Sequence, residues 1–235
     1  MSVNPVVSYL VFANLQMAAE ANLLGQNGQP VSGGDLVNAL IKGNDRSSKF
    51  PTVLAEQFKN EWTVVAQQSN TPTGFSGTLF EYKGADDPAR GLIHGQQVLS
   101  FRSTEFIDDA VRDNQATNGM ELNKFGWAFG QIGDMQNWFE SLRNDGKVNG
   151  PVTVTGYSLG GHLATAFNLR FCNTSVVACT HTFYGAGVGA TAGCGNPASV
   201  RLCSHFCLQR RMNTGGWQRG AVSKPLRKQL HAAIR

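Results

Sequence analysis

Ser158 stands in the run Val152-Thr153-Val154-Thr155-Gly156-Tyr157-Ser158-Leu159-Gly160-Gly161-His162-Leu163-Ala164, a Gly-x-Ser-x-Gly pattern set between a β-prone stretch and a helix-forming one. A serine on so sharp a strand-to-helix turn is held in strained backbone geometry. The residues two before and two after it must then be small, a need that Gly156 and Gly160 meet. The chemistry such a turn serves is nucleophilic attack. The hydroxyl projects above the sheet, and the amide of Leu159, at the start of the following helix, faces the place where negative charge develops.

A serine hydroxyl is a poor nucleophile until a histidine takes its proton and an acid orients that histidine. Four histidines follow Ser158: His162, His181, His205 and His231. His162 belongs to the elbow helix and His181 to the start of a strand, so both read as structural, leaving His205 and His231 as the two candidate bases. No Asp or Glu follows Ser158 at all. Upstream, Asp108, Asp109 and Asp134 read as solvated loop residues or a helix N-terminus. Asn196 or Asn213 could orient a histidine in place of an acid. Cys203 and Cys207, with His205 between them, lack a fourth ligand and a zinc-type spacing, so no metal is expected.

Alternating elements are required to position the turn. Phe75, Thr78, Phe80 and Tyr82 mark a β-prone stretch, and Gln97–Ser103 (QVLSFRS) reads as a short buried strand. Ile132, Met135, Phe139 and Leu142 recur at helical spacing and predict a helix from about Gly130 to Arg143. Val152–Thr155 then predicts a strand, Gly160–Phe171 a helix, and Thr180–Tyr184 a strand. The alternation implies a mostly parallel sheet covered by helices. Ahead of it, helices are expected over Asp35–Lys42 and Lys49–Gln67, and Val6, Tyr9, Leu10, Ala13, Met17 and Leu24 suggest an amphipathic packing helix at the N-terminus. The chain thus divides into a helical segment 1–70, an α/β core 71–189 and an atypical tail 190–235.

Composition narrows the classes further. The chain has 235 residues, 15% of them charged, and no apolar run near the roughly 18 residues of a membrane span. Its net charge of +4 conceals a split. Residues 1–145 hold all 16 acidic residues and 10 basic ones, and residues 146–235 hold 10 basic residues and no acidic one. All five cysteines fall in the second part, an odd number that argues against a disulfide framework. The N-terminus has an apolar stretch without a preceding Lys or Arg, which does not read as a standard signal peptide. The basic residues Arg201, Arg210, Arg211, Arg219, Lys224, Arg227 and Lys228 offer a second function class, binding to an anionic surface. No nucleic-acid motif accompanies them, and no nucleic-acid partner is expected.

On these residues the chain resembles the α/β-hydrolase superfamily and, more narrowly, the class 3 lipase family of triacylglycerol lipases. Gly156–Ala164 (GYSLGGHLA) is similar to that family's nucleophile segment, Val98–Thr104 (VLSFRST) to the strand ending in its oxyanion loop, and Thr182–Gly187 (TFYGAG) to the strand after the elbow helix. The resemblance covers roughly residues 75–190. It implies a carboxylic ester hydrolase acting on acylglycerols or other lipid esters at a lipid–water interface, with no cofactor, and extracellular action. Ser158 is then the nucleophile, with Leu159 and Thr104 the two oxyanion donors. Ser103 stands where the family usually carries glycine. In this fold the order is Ser, then acid, then His, which a chain without acids after Ser158 cannot supply. The atypical tail fits a truncated or frameshifted hydrolase, and the alternatives to an active lipase are an impaired hydrolase or a basic-tailed binding protein.

Overall fold

The computed structural model describes residues 4–44, 48–103, 126–171 and 174–185. Ten elements follow in order: α1 (Pro5–Ala19), α2 (Gly33–Lys42), α3 (Thr52–Glu61), β1 (Trp62–Gln68), β2 (Gly77–Tyr82), β3 (Gln97–Phe101), α4 (Phe129–Asn144), β4 (Val152–Tyr157), α5 (Leu159–Phe171) and β5 (Val177–Phe183). The strands form one sheet in the order β1-β2-β3-β4-β5. The pairs β1–β2 and β2–β3 are antiparallel, and the pairs β3–β4 and β4–β5 are parallel. The class is α/β, but the sheet is evenly mixed, whereas the sequence suggested a mostly parallel one. The difference lies in Trp62–Gln68. Expected to continue a helix from Lys49, this segment ends it at Glu61 and pairs with β2. Its Trp-Thr-Val-Val core is aromatic and β-branched, the composition that suits a pleated surface. The strand therefore falls inside the segment read as wholly helical.

Alternate strand residues face opposite sides and build two separate cores. Val64, Phe80 and Val98 pack with α1, α2 and α3, burying Phe12, Leu15, Leu40 and Phe58. Leu79, Leu99, Phe101, Val152 and Val154 pack with α4 and α5, burying Met135, Phe139, Leu163 and Phe167. Helices thus cover both faces, as a sheet with two apolar faces requires. Phe167 touches Phe101, Phe139 and Phe171 at centroid distances of 5.8, 4.9 and 4.6 Å, within the range of aromatic pairing.

α1 starts cleanly: the Asn4 side chain accepts a hydrogen bond from the Val6 amide and Pro5 occupies the first turn. Its buried face differs from the expected one. Val11, Phe12, Leu15, Ala18 and Ala19 point inward, and Val6, Tyr9 and Leu10 lie exposed. No charged residue occurs between Pro5 and Ala19, so apolar residues surround the helix and periodicity alone could not choose the face. Leu24 lies beyond the helix, in an isolated bridge to Pro30.

Among the described residues no helix is long and apolar enough to cross a membrane. Cys179 on β5 is disulfide-bonded, a cross-link not foreseen from the cysteine count.

Candidate active site

β4 lies between two parallel neighbours, and the chain leaves its carboxyl end directly into α5. Crevices at the carboxyl ends of parallel strands are where open α/β sheets bind their ligands. Ser158 sits at that junction with φ of 52°, in the left-handed region. For a non-glycine residue this costs on the order of 1–3 kcal/mol, and it persists only where the surroundings over-determine it. Two hydrogen bonds do so here. The Ser158 amide donates to the Phe183 carbonyl at 3.0 Å, and the Ser158 carbonyl accepts from the His162 amide at 3.1 Å, closing the first helical turn.

The glycines explain how the turn fits. A Cβ on Gly156 would lie 2.2 Å from the Gly160 carbonyl oxygen, and one on Gly160 would lie 2.1 Å from that of Phe101. Both contacts are with backbone and cannot yield by a side-chain rotation. Gly161 is equally confined, with Gly185 Cα 2.7 Å from a Cβ placed there. The elbow is therefore backbone packed on backbone from three directions: its own helix, the end of β3 and the end of β5.

Ser158 caps α5, so the amides of Leu159, Gly160 and Gly161 have no partner within the helix. The first turn of α5 carries no acidic side chain, which leaves the positive end of the helix dipole to whatever anion approaches. Leu159 follows Ser158 as the first residue of α5. Thr104, which the resemblance implies as a second oxyanion donor, lies outside the described residues. So do both candidate bases, His205 and His231, along with Asp108, Asp109, Asn196, Asn213 and the tail 190–235. Among the described residues no group of three or more His, Cys, Asp or Glu could hold a metal ion.

The two described histidines that follow Ser158 pack inside the fold. His162 is fully buried, its Nε2 accepts from the Ala128 amide at 3.3 Å, and Trp127 meets its ring edge-on. That bond ties the start of α4 to the elbow helix. His181 stacks on Phe12 with ring centroids 3.8 Å apart, and Tyr9 meets it edge-on. Asp134 accepts from the Thr73 hydroxyl at 2.6 Å. It lies in the second turn of α4, whose first turn carries no acid, so the helix-N-terminus reading does not hold for it.

Three features of the site carried no readable signal in the sequence. Tyr184, the residue after β5, is also left-handed, with φ of 46°, so two neighbouring parallel strands end in strained residues. Tyr157, which precedes Ser158, and Tyr184 stand exposed and meet edge to face, with ring centroids 6.3 Å apart. The third feature is Glu20, which is 2% exposed at the end of α1. Its carboxylate accepts from the Ser103 amide at 2.8 Å and pairs with Arg102 at 3.7 Å. Burial pushes the Arg102 guanidinium below its ordinary range, and Glu20 opposes that shift. The φ of Ser103 is not positive. A scan against protein-family models, a search of curated proteins and a search of solved structures each returned no match.

Proposed function

We propose that the chain is a carboxylic ester hydrolase built on an α/β-hydrolase scaffold, acting through Ser158 on lipid esters in the manner of class 3 lipases. The observation that carries this reading is the left-handed Ser158 between β4 and α5, packed so closely that Gly156 and Gly160 have no room for a side chain. Strain of that kind is maintained at sites where it serves a mechanism.

In the proposed reaction the Ser158 oxygen attacks the ester carbonyl carbon while its proton passes to a histidine, His205 or His231. The tetrahedral oxyanion is held by the amides of Leu159 and Thr104. The histidine returns the proton to the departing alkoxide, leaving an acyl-serine. Water, deprotonated by the same histidine, then releases the acid and restores the hydroxyl. The reaction as written uses only side chains, amides and water. The exposed Tyr157 and Tyr184 offer apolar surface beside the reacting serine.

A second reading has its own observation. No acid follows Ser158, so the usual orienting partner for the base is absent from its usual place in the chain. On that reading the protein keeps the elbow without efficient turnover. Hydrolysis of p-nitrophenyl esters of increasing chain length, with Ser158→Ala as control, separates the two. Turnover abolished by the substitution supports the hydrolase. A folded wild-type protein no faster than its Ser158→Ala variant supports the impaired scaffold.

A further inference from the structure

The end of β3 is held from two sides. On one side its last carbonyls rest on the elbow helix: a Cβ on Gly160 would lie 2.1 Å from the Phe101 oxygen and 2.9 Å from the Arg102 oxygen. On the other, Glu20 takes both groups that follow, the Arg102 guanidinium and the Ser103 amide. The Arg102 amide meanwhile donates to the Ser76 carbonyl at 3.1 Å, continuing the antiparallel ladder for one residue beyond β3. Gln16 donates to the same Glu20 oxygen that holds Ser103, at 3.4 Å, so the carboxylate is itself oriented from within α1.

A buried carboxylate–guanidinium pair is a poor choice for stability alone. Desolvation of the two charges offsets most of their attraction, and apolar residues of similar volume serve as well or better. What such a pair supplies is direction: fixed acceptors at fixed places. Here the acceptors face the one stretch of chain that packs, backbone on backbone, against the turn carrying Ser158.

We propose that Glu20 is a positioning residue for the chemistry of Ser158. From the end of α1 it fixes the chain leaving β3 against the first turn of α5, and so sets the seat on which Ser158 and the Leu159 amide are presented. The inference rests on the ester-hydrolase reading and assigns a catalytic consequence to a residue 138 positions from the nucleophile.

The test uses the full chain, a fluorophosphonate as probe, and two variants. In the double variant Glu20→Met with Arg102→Met both charges go together, so the fold is expected to melt near the wild-type temperature while the Ser103 amide loses its acceptor. Hydrogen exchange over residues 101–103 should then quicken about tenfold with β1 unchanged. The limiting rate of Ser158 phosphonylation should fall about tenfold, with the half-saturating probe concentration unchanged. Glu20→Gln keeps a carbonyl acceptor for Ser103 and should label within about threefold of wild type, though with a lower melting temperature. Wild-type exchange and labelling in the double variant would overturn the proposal, as would a Glu20→Gln variant that loses labelling while its Ser103 exchange stays slow. Should the wild type itself resist the probe, the hydrolase reading fails and the catalytic role of Glu20 is overturned with it; quickening confined to 101–103 would then show Glu20 holding the end of β3 for structure alone. Normal wild-type labelling with unchanged exchange and labelling in the double variant overturns the role of Glu20 while leaving the hydrolase reading in place.

Discussion

The two halves of the sheet are held by different forces. On the antiparallel side, polar cross-ties supplement an apolar core that includes Phe58, Trp62 and Phe80. Arg90 donates to Glu61 at 2.8 Å and to Asp87 at 2.7 Å and lies over the Tyr82 ring, and Gln67 reaches from β1 to Ala21, Leu23 and Thr78. On the parallel side, the elbow is joined by direct approach of backbones at Gly156, Gly160, Gly161 and Gly185, above a cluster of phenylalanines. The first kind of joint is sensitive to charge and tolerant of volume. The second is intolerant of a single methyl group, and charge enters it at the end of β3 through Glu20 and Arg102. The half that carries the proposed nucleophile is the one that cannot be reshaped.

The largest effect expected from this contrast is at Gly160. Gly160→Ala places a methyl inside the Phe101 carbonyl, and a loss of more than about 4 kcal/mol or failure to fold is predicted in urea unfolding. A loss under about 1 kcal/mol would show that the end of β3 yields, and the contrast would dissolve. Next is Phe167→Ala, which empties the centre of the aromatic cluster and should cost about 3–5 kcal/mol by the same measurement.

On the other side Arg90→Met should cost only about 1–2 kcal/mol, because the tie is partly exposed and solvent screens it. This joint should also respond to pH. Hydrogen bonds from Arg90 hold the Asp87 carboxyl below its usual range. The stabilisation is complete above the ordinary carboxylate pKa and is lost as pH falls through the depressed value in the fold. Melting temperature followed on acidification should therefore drop less steeply in Arg90→Met than in the wild type. An identical profile would place the acid sensitivity elsewhere.

The smallest effect sharpens the contrast from the opposite direction. Ser158→Gly relieves the left-handed strain and should raise stability by about 0.5–1 kcal/mol, whereas Ser158→Ala, which keeps the Cβ, should not. Equal melting temperatures for the two variants would mean that the turn stores no strain.

What could be read from sequence follows the same divide. The elbow was legible because its geometry demands residue types: only small residues fit two places either side of Ser158, and Gly156 and Gly160 stand there. The helix of Ile132, Met135, Phe139 and Leu142 was legible because one of its faces is apolar and the other is not. β1 is poorly legible because Trp62–Gln68 follows a helical stretch without a Gly or Pro between, and only its β-branched content marks the change. α1 is legible as a helix but its buried face is not, since a helix without charges offers no contrast. Glu20 was invisible, for a lone acid at the end of a helix looks solvated until the fold brings Arg102 and Ser103 to it. His162 and His181 were read as structural, and their packing against Ala128 and Phe12 supplies the reason.

The central claim is that Ser158 is a nucleophile rather than a surface serine on a tight turn. Its most direct test is treatment of the folded protein with a fluorophosphonate, followed by intact mass and peptide mapping. The account predicts one phosphonyl group per chain, on Ser158, absent in Ser158→Ala and suppressed in whichever of His205→Ala or His231→Ala removes the base. A protein that is folded by circular dichroism yet gains no mass, or gains it on another residue, would contradict the claim.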